Sequence, residues 1–227
     1  MNKIETNRQK RLVLACEVME RELRQFENDR IDFRFFDYGL HRTPESMGQV
    51  LQKEIDRIAA EDYGAIVLGY GLCSNGIVGI VSRKQPSIVP RIHDCISLFL
   101  GSSEAYRFQA EKFPGTYYLT PGWIDKGETP LSKYESYSRS YDPQTALWIL
   151  QEEMKHYTRL ALIDTQVTSM KPYQARARED AAILKLDYEE MEGSSALFQE
   201  LLCGPIDGKF LIIERGHPIS QEVFLDP

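Results

Sequence analysis

Short apolar runs of strand length recur along this chain, and longer stretches of helical period separate them. That alternation is what βα units produce, and it restricts the chain to an α/β architecture with a mainly parallel sheet and helices on both faces. Strands are expected at residues 11–18, 31–37, 65–68, 87–92, 115–120, 159–164, 186–189 and 210–213. Helices are expected at 17–27, 44–60, 77–81, around Leu98 and Phe99, and at 104–112, 142–157, 173–184 and 194–202. The clearest is 44–60. There Met47, Val50, Leu51, Ile55 and Ile58 recur at helical spacing, and Glu45 sits near the N-terminus, where the helix dipole favours it.

Residues 11–73 and 159–214 both read strand, helix, strand, helix, strand, so two similar βαβαβ lobes fit the pattern. The expected division is an N-terminal lobe at 1–124, an irregular excursion or lid at 125–142, and a C-terminal lobe at 143–227. The two lobes are compatible with one compact domain. The excursion is polar, with Tyr134, Tyr137 and Tyr141 and no clean period.

The net charge of −7 argues against a nucleic-acid partner, because phosphate contacts need a basic surface. No apolar run approaches the ~20 residues a membrane span needs. Residues 1–11 are polar and lack the apolar core of a signal peptide. A soluble, cytoplasmic protein without a membrane partner is therefore expected. In such a compartment the four cysteines are thiols or metal ligands rather than disulfides.

Three of those cysteines fall where chemistry is expected. Ligands of open α/β sheets bind beyond the carboxyl ends of strands. Cys73 lies in Gly69-Tyr70-Gly71-Leu72-Cys73-Ser74-Asn75-Gly76, which follows a fully apolar strand. Gly69, Gly71, Asn75 and Gly76 are candidate ligand contacts, since glycines let a backbone approach a ligand closely. A tight turn explains the same residues equally well. Cys95 ends Pro90-Arg91-Ile92-His93-Asp94-Cys95. His93 and Cys95 alternate around Asp94, so an extended backbone points both one way. Asp94 is the expected helix cap, and Arg91 a candidate anion contact. Cys16 closes the first strand and His41 follows the second. Cys16, His41, Cys73, His93 and Cys95 thus fall at strand ends of one polarity. Three thiolates suit zinc, with a histidine completing the set, or a [4Fe-4S] cluster with one open iron. Trp123, in a Pro-Gly-Trp strand end, is a candidate wall for a flat ligand, against the plainer reading of rim packing. Cys203 is expected in the core.

The motifs Tyr70-Gly71-Leu72-Cys73-x-Asn75-Gly76, Pro90-Arg91-x-His93-Asp94-Cys95 and Pro114-Gly115-Thr116-Tyr117-Tyr118-Leu119-Thr120-Pro121-Gly122-Trp123 together resemble a bacterial and archaeal family catalogued as a domain of unknown function. Ala15-Cys16 and Leu40-His41-Arg42-x-Pro44 also fit its pattern. Members of that family tend to be encoded near corrinoid-dependent methyltransferases. The resemblance thus implies a role in one-carbon metabolism, as a methyltransferase or an accessory component of methyl transfer. Its partners would be a small-molecule substrate or a corrinoid or methyltransferase protein, and a homo-oligomer is left open. Two rival functions fit the same residues. One is a non-catalytic module that binds a small molecule or a partner. The other is a metal-free thiol enzyme with Cys73 or Cys95 as nucleophile and His93 as base.

Overall fold

The structure, a computed structural model, describes residues 10–224. The polar stretch 1–9 and the tail residues 225–227 lie outside the described residues. In chain order the elements are β1 (Arg11–Cys16), α1 (Glu20–Arg24), β2 (Ile31–Phe36), α2 (Pro44–Arg57), β3 (Ala65–Gly69) and β4 (Ser87–Pro90). Next come α3 (Ile96–Leu100), α4 (Ser103–Lys112), β5 (Thr116–Leu119), α5 (Pro121–Lys126), α6 (Pro130–Tyr137) and α7 (Pro143–Glu153). The last are β6 (Arg159–Asp164), α8 (Lys171–Leu184), β7 (Asp187–Glu192), α9 (Ala196–Cys203) and β8 (Phe210–Ile213). Among the described residues no helix is long and apolar enough to cross a membrane.

The fold is mixed α/β with mostly parallel sheets, and the chain divides into two compact units. The first comprises residues 1–97 and 196–227, the second Leu98–Ser195. These boundaries differ from the expected 124 and 143, and hydrogen bonding explains why. β8 pairs antiparallel with β4, with Ile88 opposite Ile212, which takes the C-terminal segment into the first unit. β5 pairs with β6 instead and belongs to the second. The second set of three parallel strands is accordingly β5, β6 and β7, not the run from 159 to 214.

In the first unit the sheet order is β2-β1-β3-β4-β8. β1, β3 and β4 lie inside it and read as continuous apolar runs, buried except at Arg11, as strands covered on both faces must. β2 is an edge, and only Ile31 of it is fully buried. α2 starts with Pro44 in its first turn, where a missing N–H costs nothing, and buries Met47, Leu51 and Ile55 on one stripe. α9 buries Leu197, Phe198, Leu201 and Leu202, and the Arg11 guanidinium donates to the Leu202 carbonyl at 3.0 Å. Cys203, expected in the core, falls off that apolar face and is exposed.

In the second unit β5, β6 and β7 are all parallel, with Leu119, Leu160, Leu162, Ala177 and Ala181 as the packed centre. The stretch read as an irregular excursion contains α6. Its N-terminus is closed by a reciprocal pair, the Thr129 hydroxyl accepting from Ser132 N while the Ser132 hydroxyl accepts from Thr129 N. The expected helix at 77–81 is replaced by turns, because the chain from Cys73 to Asn75 runs through left-handed backbone and Gly79 has φ +85°.

Candidate functional site

β1 and β3 are parallel neighbours, with Ala15 beside Gly69, so their carboxyl ends emerge together. β4 lies on the far side of β3 in the same direction. The pairing of β3 and β4 continues beyond both strands: Leu72 N donates to Ile92 O at 2.9 Å and Cys73 N to His93 O at 3.1 Å. Gly71 makes this approach possible, since a Cβ there would stand 2.9 Å from Ile92 Cγ1 and from Ile92 O. Gly69 is likewise pressed against Ala15, where an added Cβ would meet the alanine methyl at 2.7 Å. Both glycines therefore serve close backbone packing of the loop that carries Cys73.

Three thiols, at or beyond the ends of three strands, thereby come within electrostatic reach of one another. Cys95 and Cys73 share a hydrogen bond in which the Cys95 thiol donates. That bond and the burial of its sulfur hold the Cys95 thiol well above the usual range. Cys16, only 8% exposed, is pushed up to about 12, first by burial, and it feels Cys73 electrostatically. All three sulfurs lie within electrostatic reach of the Tyr70 hydroxyl. Tyr70 is 4% exposed, its phenol is held well above its ordinary value by burial, and its hydroxyl has no hydrogen-bond partner among the described residues. An orphaned buried hydroxyl costs about 1–3 kcal/mol. Glu17 also faces this hydroxyl electrostatically, while its own Oε1 accepts from Tyr38 N at 3.1 Å.

The candidate histidines are both exposed. His41 is exposed in the 3-10 turn Tyr38–Arg42, with its ring nitrogen against the Tyr38 carbonyl. The chain bends at His93 and Asp94 instead of extending, so His93 is exposed while Cys95 is half-buried. His93 contributes its carbonyl, as the acceptor for Cys73 N. Asp94 Oδ1 accepts from Ile96 N at 2.8 Å at the start of α3. Arg91 is half-buried, with its N–H on the Lys209 carbonyl at 2.8 Å. Among the described residues no three His, Cys, Asp or Glu side chains stand close enough as they are to hold one ion.

Beyond Cys73 the backbone is unusual. Cys73, Ser74 and Asn75 have φ of 46°, 55° and 68°, three successive side-chain-bearing residues in left-handed space. Asn75 and Gly76 then line a cleft of about 830 Å³, opposite Pro44, Ser46 and Gln49 of α2. Trp123 belongs to the second unit, in α5 and not at a strand end. Thr120 caps that helix, and the Trp123 indole N–H donates to the Glu128 carbonyl at 3.1 Å. Tyr70 is the residue whose importance sequence reasoning missed. A tyrosine between two glycines carries no mark of burial, and whether its hydroxyl finds a partner is a tertiary property.

A family described as "Protein of unknown function (DUF1638)" matches residues 35–202. The chain belongs to this family. The DUF1638 match spans Cys73 and Cys95, reaches into both units, and begins after Cys16. No curated protein and no solved structure matches the chain.

Proposed function

We propose that Cys16, Cys73 and Cys95 form a soft-metal site at the carboxyl end of the first sheet, taking zinc or a [4Fe-4S] cluster. One observation carries the reading: Cys16, Cys73 and Cys95 all act electrostatically on the buried Tyr70 phenol, whose hydroxyl has no hydrogen-bond partner among the described residues. Sulfur donors favour zinc or iron–sulfur chemistry over magnesium or calcium. Cys73 and Cys95 would be the core ligands, with Cys16 moving in as the third. A fourth position left to an exogenous group would make zinc a Lewis acid, and an open iron of a cluster would bind substrate or pass electrons. The setting we propose is corrinoid-linked methyl transfer, as the family resemblance implies.

The test is purification without oxygen, followed by elemental analysis and an absorption spectrum. Near-stoichiometric zinc in a colourless sample, or iron and sulfide in a brown one, supports the reading. In either case Cys73→Ser and Cys95→Ser should each lose most of the metal. Metal-free protein with all thiols reduced would sink it.

A second reading has its own support. The hydrogen bond between Cys95 and Cys73 is a geometry that a metal-free thiol pair uses. A burst of one alkylated cysteine per chain, with loss of function in a metal-free sample, would favour that alternative.

A further inference from the structure

Tyr70 follows β3 directly, and the loop it opens is pinned to the segment after β4 by the bonds of Leu72 N and Cys73 N to the carbonyls of Ile92 and His93. Its ring is therefore fixed relative to both cysteine-bearing turns. A buried tyrosine hydroxyl usually finds a partner, and a phenylalanine would fill the same volume without an idle polar group. Tyr70 is only 4% exposed, and its buried hydroxyl is idle among the described residues. Glu17, a carboxylate that reaches it electrostatically, already accepts from Tyr38 N. A phenol is a proton donor, and the groups gathered around this one are sulfurs, which become acceptors once they bind a cation as thiolates. Hydrogen bonds to metal-bound sulfur or to a metal-bound anion orient the ligand and tune the ion.

We infer that the Tyr70 hydroxyl is the hydrogen-bond donor to the metal-bound thiolates, or to an anion held with them, at the site of Cys16, Cys73 and Cys95. This rests on the soft-metal reading of that site. It makes Tyr70 a positioning residue: it touches the bound sulfur or anion and gains its partner only when the site is filled. It also selects the occupant's chemistry. A phenol donor favours an anionic companion ligand, such as a thiolate, sulfide or hydroxide, over a neutral amine.

The experiment compares wild type with Tyr70→Phe, both stripped of metal and kept reduced. Cobalt(II) is titrated against a competing chelator, with the sulfur-to-cobalt charge-transfer band as readout. Thermal melts are recorded on the metal-free proteins. The inference expects the metal-free variant to melt no lower than wild type, because it loses only an unpartnered hydroxyl. It expects cobalt to bind the variant roughly 10-fold or more weakly, the usual effect of removing such an outer contact. Equal cobalt affinity in the two proteins would overturn the inference while leaving the soft-metal reading intact. A lower melting temperature for the metal-free variant would show that the hydroxyl has a structural partner, and would overturn it as well. A wild-type protein with no cobalt band would sink the soft-metal reading itself, and this inference with it. That failure shows before any variant is made.

Discussion

Left-handed backbone is costly for residues with a Cβ, about 1–2 kcal/mol each. The loop after β3 holds it three times in succession, at Cys73, Ser74 and Asn75. Asparagine tolerates the region, and cysteine has a reason to be there if its sulfur is needed. Ser74 has neither excuse: its side chain is exposed and its φ is 55°. Ser74→Gly should therefore stabilise the protein by about 0.5–1 kcal/mol, the relieved strain less the added freedom of the unfolded chain. Urea unfolding measures this, and a lower midpoint in the variant would contradict it. The same residues show what sequence could reveal at this scale. Cys73 and Cys95 were visible because each follows an apolar strand run, and cysteines there are few. The left-handed run was not visible, since Cys73-Ser74 carries no turn preference strong enough to announce it, and the apolar Ile77 and Ile80 suggested a helix instead. His93 misled for a related reason. Alternation places two side chains on one side only in an extended chain, and the chain bends at His93.

Elements were legible where their apolar pattern was local. α2 and the β1, β2 and β3 series follow from periodicity alone, and the structure has β1 between β2 and β3 as parallel neighbours. Partner choice was not legible for β8, whose pairing with β4 joins residues more than a hundred positions apart. The α6 helix escaped notice because its turns are polar, and its stability comes from its cap and from α8. Asp180 in α8 makes that connection: its Oδ1 accepts from Leu131 N at 2.6 Å. The Asp180 side chain is fully buried, and burial raises its carboxyl above the ordinary 3.8. The folded protein thus holds this proton more tightly than the unfolded chain does. Asp180's contribution to stability is full below the ordinary value and is lost as pH rises through the raised folded value. Above that window the buried carboxylate remains a constant cost, eased by Arg176 at 3.7 Å. Asp180→Asn keeps an acceptor for Leu131 N and removes the charge. Its melting temperature should gain on wild type as pH rises above the ordinary 3.8 towards neutrality. Asp180→Ala should melt lower at every pH, because Leu131 N loses its acceptor, at about 1–3 kcal/mol. Parallel melting curves for the Asn variant and wild type across that range would refute the assignment.

At the scale of the whole molecule, all four cysteines lie in the first unit, and residues 98–195 contain none. The proposed sulfur site therefore belongs to one unit, while the family match runs through both. The second unit has what independent folding requires. It has its own three-stranded parallel sheet and a core of Leu119, Leu160, Leu162, Ala177 and Ala181. It also has a buried Arg159 whose guanidinium is answered inside the unit by Thr116, Gln109 and Glu189. About a hundred residues suffice to enclose a core of this kind. Residues 98–195 expressed alone should accordingly give a cooperative thermal transition with mixed helix and strand circular dichroism. They should also give no sulfur-to-cobalt band at any cobalt(II) concentration. The full chain under the same conditions should give that band. A non-cooperative melt of the fragment would mean that the second unit depends on the first for its fold. A cobalt band in the fragment would place metal binding where there is no cysteine, and would remove the basis for assigning it to the strand ends of the first sheet.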